Sequence, residues 1–375
     1  YRCCSDYKEI DALRRYNLNF TNCALLIGLY LFFGIFLVYP VGYMLKGAFF
    51  SDGKFSIQYF QMLLQSPLQY EAIRNSFAIG ILTTLIATII TMPIAHIMTR
   101  FDFYGKSIAG GLLLIPMIMP PFVGAIGLKQ LLAKYGSLNL LLIKLGLINP
   151  QNPIDWFGEG GFWGIVILQV LSLYPILFLN LSAAMANIDP ALIEAAKNLG
   201  ASGWRLFKTV TLPLILPGYF AGAIIVFIWA FTDLGTPLIF GYSRVVPVQI
   251  FDSVTQIHTN PMGHSLVLLV LVLTVILFWI TKKLLASRRY EMLARGHTAG
   301  METKATRAQT LFIWVGISSL VIIALLPHLM VILQSFSEKW FISILPNEWS
   351  EKFYSEILKA GPARASISNS LFYSS

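Results

Sequence analysis

Charge is what this sequence lacks most. Only 12% of its 375 residues are Asp, Glu, Lys or Arg, against about 25% in an ordinary soluble domain. With 56% hydrophobic residues, a water-soluble fold would have too few polar side chains to cover its apolar surface, which excludes an ordinary globular domain. Cysteine is scarce as well: Cys3, Cys4 and Cys23 precede or open the first apolar run. They imply no disulfide framework, and the adjacent Cys3–Cys4 pair has no second pair at metal-ligand spacing. The 5 histidines are scattered and form no cluster with carboxylates, so neither a metal site nor a hydrolytic centre is expected.

Long apolar runs are abundant instead. A bilayer-spanning helix needs about 20 mostly apolar residues, and seven runs qualify, at about 23–45, 76–98, 108–132, 162–186, 212–236, 264–285 and 310–333. An eighth opens at Asn369. The expected fold is therefore all-α, a polytopic membrane helical bundle of about seven complete spans plus the start of another. The first run is too long for the apolar core of a cleavable signal peptide. A start at Tyr1 instead of Met, and an end soon after an apolar run opens, predict a chain cut at both ends.

The net charge of +9 sits mostly in short loops, so it predicts topology and no nucleic-acid partner. Arg2, Lys8, Arg14 and Arg15 precede the first span, Arg100 and Lys106 follow the second, and Lys197, Arg205 and Lys208 follow the fourth. Lys282, Lys283, Arg288, Arg289, Arg295, Lys304 and Arg307 follow the sixth. Their alternation with loops poorer in basic residues places this set, and the N terminus, in the cytoplasm. On the other side, 133–161 holds a short apolar stretch, 138–147, expected as a surface helix beside the belt residues Tyr135, Trp156 and Trp163.

Helix breakers mark two places. Pro116, Pro120 and Pro121 fall inside the third span, and proline removes a donor and clashes with the preceding turn. The result is either a bent helix lining a transport path or a kink satisfied by neighbouring helices. Asp233 stands near the outer end of the fifth span. A carboxylate at membrane depth either lines a path or caps a broken helix end. Gly218 and Gly222 form a small-residue packing pair. His258 and His264 flank Asn260-Pro261 without a third ligand. A short repeat is also visible. Leu37-Val38-Tyr39-Pro40 leads by way of Tyr59 to Asn75-Ser76, and Leu325-Leu326-Pro327 leads by way of Tyr354 to Asn369-Ser370. Each asparagine reads as the start of a helix, and the pair suggests two parallel halves.

The segment 189–213 is the most specific. Asp189 and Pro190 suit a helix start, 191–199 are good helix formers, and Gly200 suits a left-handed end. Ser202 can cap a second short helix, and Pro213 would restart the chain as the next span. The pattern Glu194-Ala195-Ala196, Gly200, Val210, Leu212-Pro213 resembles the EAA loop of permease subunits of ATP-binding-cassette importers, with valine where isoleucine is commoner. The resemblance implies that this loop is a coupling helix. Glu194, Ala195, Ala196 and Gly200 would contact a pair of ATPase subunits, and Leu212 and Pro213 complete the motif. It also implies an extracytoplasmic substrate-binding protein as partner, the bacterial inner membrane as location, and no enzymatic activity or cofactor in this chain, ATP being bound by the partner. Gly105-Lys106-Ser107 is no P-loop, since Arg100 stands where the first glycine should be.

The resemblance divides the chain into a tail, 1–22, a six-span half, 23–290, a cytoplasmic linker, 291–309, and an incomplete second half, 310–375. Fused halves resemble ferric-iron permeases; thiamine permeases share the layout, and polyamine and phosphonate permeases are similar within one half. The Asp233 segment, Asp-Leu-Gly, is similar to a family motif, which implies a place on the path together with Pro116, Pro120 and Pro121. The competing class, a secondary transporter or channel without an ATPase, would want charged pairs deep in the spans; the only candidates are Asp233 near an end and Asp252 outside.

Overall fold

The computed structural model describes residues 20–51, 53–255, 262–286, 303–359 and 361–375. Cys3, Cys4, His258, Asn260, Pro261 and most of the linker lie outside these residues. The chain forms two compact units, Tyr1–Ser66 with Ser253–Val272, and Pro67–Asp252 with Leu273–Ser375.

In the first unit, α1 (Phe20–Phe33) passes through a π turn, Gly34–Val38, into α2 (Tyr39–Phe49). The ribbon β1 (Phe50–Ser51) and β2 (Lys54–Phe55) and the short helix α3 (Gln58–Gln65) follow. The His264 ring meets Tyr43 edge-on at 6.0 Å and also lies against Gly47. Among the described residues no group of three histidine, cysteine or acidic side chains is placed to hold a metal.

The second unit is built on α4 (Pro67–Arg100), α5 (Lys106–Ile118), α6 (Pro121–Leu132), α7 (Ser137–Lys144) and α8 (Phe162–Ala186). It continues through α9 (Pro190–Asn198), α10 (Gly203–Leu206), α11 (Leu212–Thr232), α12 (Gly235–Phe240) and most of α13 (Val246–Thr255), whose end from Ser253 belongs to the first unit. α14 (Met262–Ala286), α15 (Arg307–Ser335), α16 (Lys352–Leu358) and α17 (Pro362–Ser374) complete the chain. Six described helices are long and apolar enough to cross a membrane, or seven crossings if the bent pair α5 and α6–α7 counts as one. This matches the expected runs. Their exposed leucines, isoleucines and phenylalanines suit a lipid solvent.

α8 is the core helix, far more buried along its apolar length than the other five long described span helices. It packs on α4 and α11 through Tyr174, Leu177, Leu181 and Ile215. Gly218 and Gly222 sit against Ala184 and Asn180, so this pair serves packing. Four threonines of α4 satisfy themselves within the helix. Thr84, Thr88, Thr91 and Thr99 each donate to the carbonyl four residues back, as hydroxyls away from water must find a partner.

The prolines act in two ways. The third span is broken, not merely bent: α5 ends at Ile118, Met119 and Pro120 are extended, and α6 leaves at 90°. Elsewhere the helix widens and runs on. A π turn, Phe207–Thr211, leads into Leu212-Pro213, as Gly34–Val38 leads into Tyr39-Pro40. The wider turn offers a way to absorb the donor that proline lacks and its clash with the preceding turn. Pro213 therefore does not restart the chain; Gly203–Thr232 is one continuous helix.

The repeat gains local structure. α2 is followed by β1, β2, α3 and Pro67 opening α4; α15 is followed by β5 (Ser337–Lys339), β6 (Glu348–Trp349), α16 and Pro362 opening α17. The helices thus start at prolines. Asn75 and Asn369, expected as helix starts, lie inside α4 and α17. Asn75 is buried and has a different use: its amide donates to Tyr242 Oη at 2.8 Å and to the Arg244 carbonyl at 3.0 Å. Ser76 Oγ accepts from Val246 N–H, and Glu71 pairs with Arg244 at 3.1 Å.

After the linker, β4 (Thr303–Lys304) pairs in parallel with β3 (Phe101–Asp102). Trp314 of α15 covers Gly105 and donates to the Tyr104 carbonyl at 3.0 Å. α15 then crosses α6 so closely that a Cβ on Gly127 would collide with the Pro327 carbonyl. The surface stretch expected at 138–147 is α7, pinned by buried Asn139, which accepts from Trp156 Nε1 and donates to the carbonyls of Lys134 and Ile154.

Candidate functional site

At the basic end of the second unit, α8 and α11 are joined by a helix–turn–helix. Asp189 caps α9, its Oδ1 accepting from Ala191 N–H at 2.9 Å, and Pro190 follows in the first turn. α9 ends as its sequence demands. Gly200 adopts φ +83°, its N–H reaches the Lys197 carbonyl, and Ala201 N–H reaches that of Ala196, both at 2.9 Å. This is a Schellman closure, which needs a left-handed residue. Ser202 stands at the start of α10, but its side chain makes no capping hydrogen bond.

The helix has two faces. Ile193 is buried, and Ala196 and Ala201 pack against the main core. Glu194, Ala195, Lys197, Leu199 and Gly200 are exposed. Leu212 and Pro213 are half-buried at the head of α11, behind the loop. The motif therefore divides into an outward patch (Glu194, Ala195, Gly200) and an inward support (Ala196, Leu212, Pro213). Leu199, 89% exposed, joins the outward patch. Periodicity alone did not single it out, because an apolar residue at a helix end is ordinary.

At the opposite end of α11, Asp233 terminates the helix in an extended conformation. Oδ1 accepts from Gly235 N–H and Oδ2 from Gln169 Nε2, each at 3.1 Å. Gln169, 2% exposed, also donates to the Ala230 carbonyl and accepts from Thr83 at 3.3 Å. Asp233 thus ties the end of α11 to the first residue of α12 and to Gln169, and it also borders a cavity of about 300 Å³ with Pro121, Gln169, Trp229 and Thr232. The structure brings Asp233 and Pro121 together. Pro116 is buried inside α5 and Pro120 is exposed at the break, and neither lines that cavity. Gln169 escaped sequence reasoning, although one amide in the middle of an apolar span was a usable signal.

Residues 91–290 match the model of a family described as "Binding-protein-dependent transport system inner membrane component". The molybdenum transport system permease protein of Haemophilus influenzae is 27% identical over 62% of this chain and 100% of its own length. A putative ferric transport system permease of the same organism is 28% identical over 58% of this chain, but the match spans only 34% of that longer protein. The spermidine/putrescine transport system permease protein of Escherichia coli K12 is 25% identical over 60% of this chain and 77% of its own. Among solved structures, a bacterial ABC transporter for import of the polysaccharide alginate superposes with a TM-score of 0.57 at 18% identity. That superposition covers 77% of this chain and 100% of the other.

Proposed function

The chain belongs to the family of binding-protein-dependent transport system inner membrane components, and from that premise we propose that segment 189–213 is the coupling element of an ATP-driven importer. The observation that carries this is the division of α9 into two faces. Its outward patch, Glu194, Ala195 and Gly200, has the small residues that let a partner backbone approach, and Ala196, Leu212 and Pro213 tie that patch to α11. An ATPase pair grips the patch from the cytoplasm, where the N terminus also lies. Closure of that pair moves the helices as rigid bodies. Hydrolysis belongs to the partner, and a binding protein delivers substrate to the opposite end. There Asp233 and Pro121 border the path, while Pro116 and Pro120 supply the break that opens the third span.

Ferric iron is the substrate we propose first. The support is the fused layout: 23–290 as one half, 291–309 as linker, and a second half opening at 310 that repeats the order of span, ribbon, short helix and proline. The ferric relative has room for such a second half. Molybdate is the second reading, supported by the relative matched along its whole length; thiamine, polyamine and phosphonate stand behind these. The test is to reconstitute the full reading frame with its ATPase and binding protein and to measure uptake of labelled ferric iron, molybdate and spermidine. Uptake of molybdate alone would reject iron. Uptake that persists without any ATPase would favour a secondary transporter and reject the coupling assignment.

A further inference from the structure

Two cavities of about 570 Å³ each adjoin the basic end of α4 and share His96, Arg100 and Thr211 as lining residues. One is an apolar slot walled by Ile89, Met92, Pro93, Leu206 and Phe207. The other is more polar and is lined by Thr99, Lys106 and Ser182, together with Ile193 of α9. Among the described residues, no Asp or Glu lines either one. Ser182 Oγ is enclosed and has no hydrogen-bond partner among the described residues. Trp204, 73% exposed, stacks on Phe207 at the rim of the slot, with ring centroids 5.3 Å apart. Such an aromatic suits the headgroup level of a bilayer. A mostly apolar slot that shares Arg100 with a cationic pocket complements a molecule with an apolar tail and an anionic head.

We propose that these two adjoining cavities together bind an anionic phospholipid of the leaflet at this end of the bundle. Arg100 holds the phosphate and Ser182 offers a hydroxyl, while one acyl chain fills the slot between α4 and the 203–211 turn. Basic pockets between spans are suited to lipid phosphates. The consequence rests on the coupling reading above. Ile193 lines the head pocket, and Gly203, Trp204 and Phe207 line the slot. The lipid therefore braces the coupling segment from behind, and lipid composition sets how firmly ATPase closure is transmitted.

Binding is tested without the ATPase, so its failure is separate from any failure of coupling. The chain is purified from nanodiscs containing equal phosphatidylglycerol and phosphatidylcholine, and retained lipid is counted by native mass spectrometry. Wild type is expected to favour phosphatidylglycerol. Arg100→Gln should weaken that preference about fivefold, the effect of one basic side chain near an anionic surface, and Arg100→Lys should keep it. Met92→Trp, which fills the slot, should lose both lipids, and Lys339→Gln, remote from the site, should change nothing. As a measurement that needs no variant, phosphatidylglycerol with a photoreactive acyl chain should label Ile89, Met92 or Leu206. The proposal is overturned by equal retention of both lipids in wild type, by undiminished preference in Arg100→Gln, or by labelling elsewhere. Occupation by excess inorganic phosphate with the lipid displaced would also overturn it, as the mark of a free-anion site.

Discussion

Replacing Gly200 separates two demands that meet at one position. Its φ of +83° costs an L residue about 1–2 kcal/mol, and valine adds a β-branch that suits it least. Asparagine tolerates the same conformation. A Cβ at this position meets nothing within 4 Å, so no clash inside the chain adds to either variant. The strain falls on a turn closed by two hydrogen bonds, Gly200 to Lys197 and Ala201 to Ala196. At about 1.4 kcal/mol per factor of ten, Gly200→Val should raise the open population of the turn about five- to thirtyfold. Gly200→Asn should barely move it. Amide exchange at positions 200 and 201 reads the turn. Hydrolysis stimulated by the loaded binding protein, in a reconstituted complex, reads the coupling. Valine should speed exchange and lower stimulated hydrolysis. Asparagine should leave exchange near wild type and still lower hydrolysis, because its side chain stands on the surface that the ATPase must approach. If both variants keep wild-type stimulated hydrolysis and co-purify with the ATPase, the coupling assignment is refuted.

Asp233→Asn keeps one acceptor oxygen where two are used, so it should cost about 0.5–1.5 kcal/mol and slow uptake; unchanged uptake and pH dependence would remove Asp233 from the path. Gly127→Ala collides with backbone and should lower the thermal midpoint by the equivalent of about 1–3 kcal/mol. Gly124→Ala meets the movable end of Leu168 at 2.9 Å and should cost less; the reverse order would contradict the α6–α15 crossing. Burial first, then the Glu71 carboxylate, hold the Tyr242 phenol above its ordinary range, against Arg244, the Asn75 hydrogen bond and Arg74. A folded pKa above the unfolded one gives stability that is whole below about pH 10 and lost as pH rises through the folded value. If the phenolate absorbance lost in Tyr242→Phe belongs to a group that titrates at the ordinary tyrosine pH, the site is open to water.

How far the sequence reached depended on the range of each interaction. Run length alone fixes a spanning helix, because a backbone in lipid must satisfy its own hydrogen bonds. The spans, the Asp189 cap and the Gly200 turn were therefore legible, each set by residues close along the chain. The two asparagines were misread for the same reason. Asn before an apolar run is a local helix-start signal, but Pro67 and Pro362 start those helices, and Asn75 answers to Tyr242 and Arg244 far along the chain. Pro213 looked like a restart until the π turn before it was visible. Gln169 gained meaning only when α8 packed against α11 and set its amide on Asp233. The motif at 189–213 lies between these cases. Its residues could be recognised one by one, but their sorting into an outward patch of Glu194, Ala195 and Gly200 and an inward support of Ala196, Leu212 and Pro213 was decided by packing. Helix periodicity says which residues share a face, and only the neighbouring helices determine which face is covered.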